Sequence, residues 1–386
     1  MNLVRVAALA RKEWREIVRD RKLFGLAFVL PAMLMLVFAY GSGQSLEHVP
    51  LAVVDHDRTD TSRRFAERFG NTVYFDLAGY VDSEREAAAR LARGDVRVVV
   101  VVPEEFERRL VAGRSAAIQT WIDGSFSNST PPRTLQGYVE AITAAATAEL
   151  QAGAVARRLG VSVERALTLL NPIRVEVRYL YNPQLRTVWS VGPSMLMFIL
   201  MFVAPLLMAL GVVREKESGS ILNVHSSTVT RAEFLVGKLL PNVAIGCANT
   251  VLLWLLAVGW FGAPFHGSLL LFAAASLLYV IATPGIGLVI SLLVDSQTTA
   301  MIISVVVATL VGSQYSGMYI PVESLSGPGW LIAHVFPAMY FNDLVQGVFL
   351  KGMGAAELWR ELCALALFAA AFPGLAWLLF HKRRRA

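Results

Sequence analysis

Six runs free of Asp, Glu, Lys and Arg divide this chain: Leu23 to Tyr40, Thr187 to Val213, Leu239 to Phe265, Gly267 to Val294, Ser296 to Val322 and Leu362 to Phe380. Each approaches or exceeds the roughly 20 residues that a helix needs to cross a bilayer. Pro31, within the first run, is a mid-helix proline of the kind membrane helices tolerate. Residues 319–358 carry Pro321, Pro328, Gly329, Pro337 and scattered charges. They break into pieces too short to span, so either an interfacial or a re-entrant course is open, on the external side.

Two other patterns flank the first run. Residues 1–22 place Leu3, Val6, Ala7, Ala10, Trp14, Ile17 and Val18 at helical spacing with Arg and Lys between them, the pattern of a basic helix lying in the interface. Residues 41–186 read as a water-facing domain. Leu51 to Val54, Thr72 to Phe75, Val96 to Val102 and Ala116 to Ile122 predict strands, and Arg58 to Phe69, Ser83 to Arg93 and Glu104 to Leu110 predict helices. Ser83 with Glu86 forms a capping-box pattern, and Pro103 before Glu104 and Glu105 suits a helix start. A long helix over 132–159 and a last strand over 174–181 return the chain to the membrane. Alternating strands and helices imply a small α/β layer with a partly parallel sheet.

The fold class is therefore an α-helical membrane protein with six transmembrane helices, plus an inserted extracytoplasmic α/β domain between helices 1 and 2. At 55% hydrophobic over 386 residues the chain is too apolar for an ordinary soluble domain. The net charge of +6 raises nucleic acid as a partner. The basic residues crowd at the chain ends and beside the spans, where they set orientation, so no nucleic-acid partner is expected. Six spans put the N-terminal segment, the island from Arg214 to Lys238 and the basic tail 381–386 on one side. The positive-inside rule makes that side cytoplasmic and the α/β domain external, in a multi-pass membrane protein. Cys247 and Cys363 lie in apolar surroundings and support no disulfide framework.

The island carries the most local information. Thr230 and Glu233 form a capping box with Val229 and Phe234 at the staple positions, so a stiff helix begins there. Pro241 predicts a kink or an end as that helix meets the membrane. No Gly-x-x-x-x-Gly-Lys-Ser/Thr loop occurs anywhere; Gly237-Lys238 runs into Leu239. The chain is thus expected to hydrolyse no ATP and to be no enzyme. Asp55, His56, Asp57 and Asp60 can be read as metal ligands or as helix-capping groups, and capping is the commoner use at a strand-to-helix junction, so no metal site is expected. Asn128-Ser129-Thr130 has the glycosylation pattern, too short to carry weight. The spans hold no Asp, Glu, Lys or Arg at depth, which argues against an ion-coupled carrier. Their polar groups are neutral: Ser190 and Ser194 beside Met195, Met197 and Met201, and Ser313, Gln314, Tyr315 and Ser316. Plain packing is the commoner reason for such residues on a span, and a Met-rich face also adapts to apolar ligands.

These residues together resemble the membrane (permease) subunit of type-2 ATP-binding-cassette (ABC) exporters, in the bacterial drug-export-like branch. The likeness rests on the six runs with a large domain between the first two and on Arg214-Glu215-Lys216-Glu217 with Gly219. It rests also on Glu233-Phe234 with Gly237-Lys238, Ser316-Gly317-Met318 with Pro321, Pro337, Gly352, Val54-Asp55 with Ser62-Arg63-Arg64, Pro103-Glu104-Glu105-Phe106, Asp123-Gly124-Ser125 and Asn182-Pro183. Ser227-Thr228 departs from the family's usual Thr-Pro, and Gly192-Pro193 inverts its Pro-Gly.

The resemblance implies a homodimer, or a pair with a related chain, above cytoplasmic ABC ATPase subunits that hold the ATP and magnesium, with a periplasmic membrane-fusion adaptor as a further partner. It gives ATPase coupling to Arg214, Glu215, Lys216, Glu217, Gly219, Thr230, Glu233 and Lys238. A path for hydrophobic or amphipathic substrates, drug or lipid-like, would run past Ser194, Met197, Phe198, Met201, Gln314, Tyr315 and Ser316. From the residues alone, a non-transporting membrane scaffold or sensor with a ligand- or partner-binding outer domain stays open.

Overall fold

The computed structural model describes residues 1–41, 48–112, 114–124, 132–170, 180–183, 186–220 and 227–380. The chain divides into two compact units, residues 1–43 with 179–386 and residues 44–178. The first unit opens with α1, Leu3–Arg19, capped by the Asn2 side chain. Asp20 is extended and ends α1; its carboxylate accepts from the amides of Lys22 and Leu23 to start α2, Arg21–Gly41. Those two bonds, the Lys22 amide first, hold the Asp20 carboxyl below the ordinary carboxylate range. A π-turn, Gly25–Val29, interrupts α2 just before Pro31.

Residues 44–178 contain a four-stranded sheet in the order β2-β1-β3-β4, from Val49–Asp55 (β1), Phe75–Tyr80 (β2), Val98–Val102 (β3) and Gln119–Ile122 (β4). β1 runs parallel to β2 and β3, and β4 is antiparallel to β3. The continuous run Val98 to Val102 is buried throughout, as expected of a strand covered on both faces. Helices α3 (Asp60–Gly70), α4 (Glu84–Arg93), α5 (Phe106–Val111), α6 (Pro132–Leu159) and α7 (Val163–Leu170) complete the unit.

Several expected bounds shift, two of them for a visible reason. β2 begins at Phe75, where the sequence pattern ends it, because Val73 and Tyr74 are exposed and Phe75 is the first side chain to enter the core. α5 starts at Phe106 rather than Glu104, since Glu105 takes a left-handed φ of 59° that no helix interior accommodates. The aspartates at the end of β1 serve the turn. Asp55 accepts from the amides of Asp57 and Arg58 and from the Ser62 hydroxyl, and Asp57 from Thr59 and the Glu107 amide. Thr59, not an aspartate, caps α3. The expected strand over 174–181 falls largely outside the described residues, as do Asn128-Ser129-Thr130, residues 221–226 and the tail 381–386.

The first unit continues with α8 (Thr187–Glu217), α9 (Arg231–Trp260), α10 (Leu269–Leu293), α11 (Gln297–Gln314), α12 (Pro328–Val335), α13 (Pro337–Gln346) and α14 (Trp359–Leu379). Among the described residues six helices, α2, α8, α9, α10, α11 and α14, are long and apolar enough to cross a membrane. α8 is the centre, with an unbroken buried stretch from Gly192 to Met201. α10 packs tightly on it at Gly287, where a Cβ would lie 2.3 Å from the Pro205 carbonyl oxygen. Only glycine permits that approach.

The charged residues extend α8 one turn beyond its apolar run. α9 starts at the Thr230 cap and continues through Pro241, so the helix does not end there. α11 stops at Gln314, well short of Val322, as Ser313 and Ser316 turn their hydroxyls back onto the carbonyls of Thr309 and Gly312 and Gly317 takes a φ of 81°. α12 and α13 form a short hairpin around Phe336-Pro337, and Phe341 of α13 stacks on Tyr279 of α10 with ring centroids 4.1 Å apart.

Candidate coupling site

Four consecutive charges at the end of α8 reach in different directions. Arg214 pairs with Asp20 at 3.2 Å, at the break between α1 and α2. Glu215 accepts from Lys12 of α1 at 2.5 Å and faces Lys238 of α9 at 3.0 Å. Lys216 donates to the Val294 carbonyl at 2.9 Å and pairs with Asp295 at 3.3 Å, at the turn after α10. Glu217 accepts from the Gln297 backbone amide at 2.7 Å and from its side-chain amide. A carboxylate on the free amides of a helix's first turn is favourably placed, so Glu217 caps α11 from another helix. Gly219, at a φ of 70°, turns the chain just after this terminus, a conformation glycine adopts without steric cost.

Lys238 is the hub. Its ammonium sits 2.5 Å from Glu13 of α1, while its side chain crosses the Phe234 ring at 5.8 Å. Lys238, Glu13 and Glu215 are 2%, 5% and 6% exposed. Burial pushes the Glu13 carboxyl above its ordinary range, against the opposing pull of the Lys238 ammonium. Glu13, Glu16 and Glu215 bring carboxylate oxygens within 4.8 Å of one another. Lys12 and Lys238 between them pair with all three, two cations to three acids, so the carboxylates are held in an ion-pair cluster.

Glu233 is 2% exposed. Its carboxylate accepts from the Thr230 amide in a complete capping box, from the Asn2 amide at 2.6 Å, and stands 3.8 Å from Arg5. Arg5 also donates to the Thr228 carbonyl at 2.7 Å. α1 thus lies along the first turns of α9. A Cβ on Gly237 would meet the Leu9 Cβ at 2.7 Å, so that glycine lets the two helices close up.

Of the eight residues assigned to coupling, Glu215, Glu233 and Lys238 are buried inside the chain and offer no face to another protein. Arg214, Glu217 and Thr230 remain exposed, with Arg231 beside them. The sequence pattern missed the partners on α1, namely Asn2, Arg5, Lys12 and Glu13. One signal was present: Glu13 falls on the stripe of Val6, Ala10 and Ile17, and a lone acid on an apolar stripe needs a buried cation. The stripe itself is really two. Val6 and Ile17 are buried, whereas Leu3, Trp14 and Val18 are exposed.

The residues assigned to a path differ in exposure. Ser194, Met197, Phe198, Met201 and Ser316 are buried, Tyr315 is half-buried and Gln314 is exposed. Ser194 donates to the Asn342 side-chain oxygen and accepts from the Gln346 amide, both at 2.7 Å, and Gln346 also reaches the Ser190 carbonyl. The Tyr279 hydroxyl donates to the Met197 carbonyl at 3.0 Å. Asn249 of α9 donates at 2.8 Å to the Ala27 carbonyl, which Pro31, having no N–H, cannot serve.

A bundle of apolar helices knotted by ion pairs at one end of α8 and by amides at the other defines a multi-span membrane protein with a helical surface element tied to its spans. Residues 23–378 match the family described as ABC-2 family transporter protein. The chain belongs to this family. It is 30% identical to the probable multidrug ABC transporter permease YbhS of Escherichia coli (strain K12), over 98% of this chain and 97% of the relative. It is 25% identical to the probable multidrug ABC transporter permease YbhR of that strain, over 98% and 99%, and 24% identical to its inner membrane transport permease YhhJ, over 97% and 96%.

Proposed function

We propose that the chain is the permease subunit of an ATP-driven exporter of hydrophobic or amphipathic molecules, drug or lipid-like, in the bacterial inner membrane. It works with a separate ABC ATPase that binds the ATP and magnesium, and with a second permease, either a copy or a related chain. The observation that carries this reading is the family match along nearly the whole chain joined to the clasp of α1, α8, α9 and α11 at one end of the bundle. The positive-inside rule puts that end, both termini and the tail in the cytoplasm, and residues 44–178 outside, where a periplasmic membrane-fusion adaptor has access to them.

In this reading Arg214, Glu217, Thr230 and Arg231 meet the ATPase. Glu215, Glu233 and Lys238 are positioning residues that make α1 and the start of α9 move as one body. Nucleotide shifts the membrane unit only through contacts that differ between its states, so a stiff receiver beneath the spans is what the mechanism needs.

Phe341 meets Tyr279 ten residues into α10, about 15 Å at 1.5 Å per residue, or half of a roughly 30 Å hydrocarbon core. The α12–α13 hairpin is therefore a re-entrant element at the external side. The exposed face of α11, Ile302, Val306, Leu310 and Gln314, is the side on which a second permease and the path between the two are assigned. Ser194, Met197, Phe198, Met201, Tyr315 and Ser316 shape that path from behind it.

The test reverses two exposed charges, Glu217→Lys with Arg231→Glu, in the full chain reconstituted with its ATPase. Substrate-stimulated ATP hydrolysis and vesicle export are measured. Loss of stimulation with retained assembly of the bundle is expected; undiminished coupling sinks the docking assignment.

A further inference from the structure

Beside the edge where Arg5 and Lys12 bond to the rest of the chain, α1 has three faces, and among the described residues one of them is buried in the protein. Val6, Glu13 and Ile17 are buried. Leu3, Trp14 and Val18, exposed by 73%, 41% and 45%, form a second, apolar face. Arg11, Arg15 and Arg19 follow at four-residue intervals on the third and are all exposed. They line a groove of about 920 Å³ together with Val4, Ala8, Lys12, Glu16 and Asp20, and it reaches Arg214.

None of the three arginines has an acidic partner among the described residues. The acids near them are engaged elsewhere, Glu16 with Lys12 and Asp20 with Arg214. Three unneutralised guanidiniums at one-turn spacing make a built anion surface, and guanidinium is the side chain best shaped to hold phosphate with paired N–H donors.

We propose that this groove binds the phosphate headgroups of anionic phospholipids in the leaflet that α1 lies on. The occupant follows from the neighbouring face. An acidic protein seated on the arginines leaves Leu3, Trp14 and Val18 in water, whereas a lipid surface takes the apolar face among its acyl chains and the arginines at its phosphates, with Trp14 at the boundary it favours. Geometry agrees, because α2 begins at Arg21, two residues after α1 ends, so α1 cannot leave the level of the membrane surface. Through Glu13, Lys12 and Asn2 the same helix holds α8 and α9, so lipid charge bears on the clasp.

The test titrates labelled phosphatidylglycerol, against phosphatidylcholine, onto the full-length chain in a neutral detergent. At about fivefold per basic residue near an anionic surface, replacing all three arginines (R11Q/R15Q/R19Q) weakens phosphatidylglycerol binding roughly a hundredfold. The charge-retaining set R11K/R15K/R19K keeps most of it, and ~1 M salt abolishes it in the unaltered chain, an arm that stands even where a variant fails to fold. Equal affinity for phosphatidylcholine, unchanged binding by the glutamine set, or displacement by millimolar inorganic phosphate overturns the proposal. So does loss of the ATPase from the glutamine set in lipid-free detergent, which makes the stripe a protein docking face. None of these readouts requires transport, so failure here leaves the permease reading standing.

Discussion

The two ends of α8 solve the same problem with different chemistry. At its C-terminal end Glu215 meets Lys12 and Lys238, and Lys238 meets Glu13, all but Lys12 almost wholly buried. Toward its N-terminal end Ser194, Asn342 and Gln346 interlock through neutral hydrogen bonds, beside the stacked rings of Tyr279 and Phe341. Each knot fixes α8 against other helices. Buried charges tolerate only their own partners, since an uncompensated ion in a dry site costs far more than a lost amide bond. Neutral groups lose less and slide more easily to a new partner. Under the proposed coupling, the contrast suits a machine driven from the charged end: that end is rigid, and the far end rearranges at lower cost.

The largest effect tests the rigid end. Lys238→Met leaves Glu13 and Glu215 facing each other, and removing one member of a buried ion pair typically costs about 3–5 kcal/mol. Thermal unfolding in detergent measures it. Combining the change with Glu13→Gln and Glu215→Gln removes the stranded charges and recovers most of the loss. A triple variant as unstable as the single one contradicts the account, because it assigns the cost to unpaired charge rather than to lost shape.

At the other end Asn342→Ala takes away the acceptor of the Ser194 hydroxyl, and an orphaned buried donor costs about 1–3 kcal/mol. Asn342→Asp sharpens the comparison. It is nearly the same size but brings charge into the neutral knot, so it costs more than the alanine change when compared by unfolding at neutral pH. If aspartate is tolerated better than alanine, the two ends do not differ in the way described.

The capping box of Thr230 and Glu233 was legible because it is local: both partners lie within one turn, and the reciprocal bonds form. The spans were legible because apolar length is itself the signal, although α11 ended early where neutral hydroxyls turned back on the backbone, a choice hydropathy does not register. The ion cluster was not legible as a cluster. Lys238 and Glu13 stand 225 residues apart, and Lys12 and Glu215 203 apart, so the partners fell into two separate patterns, the basic first helix and the island. A charge count cannot separate a docking face from a clasp, because the difference lies in which helix covers it. The closeness of Gly287 to Pro205 escaped for the same reason. Only Glu13, an acid on an apolar stripe, carried a trace of the burial within the sequence.

The smallest effect isolates one bond of the neutral end. Tyr279 is fully buried, its ring stacked within 9° of the Phe341 plane and its hydroxyl donating to the Met197 carbonyl. Tyr279→Phe keeps the ring, the stack and the volume and removes only the hydroxyl. A neutral hydrogen bond contributes about 0.5–1.5 kcal/mol, and Met197 lies inside α8, where its carbonyl keeps the helix donor four residues on, so the cost falls at the low end of that range. Unfolding of the variant beside the parent chain measures it. A loss approaching that of Lys238→Met places a rigid lock at this end too, and the asymmetry along α8 then disappears.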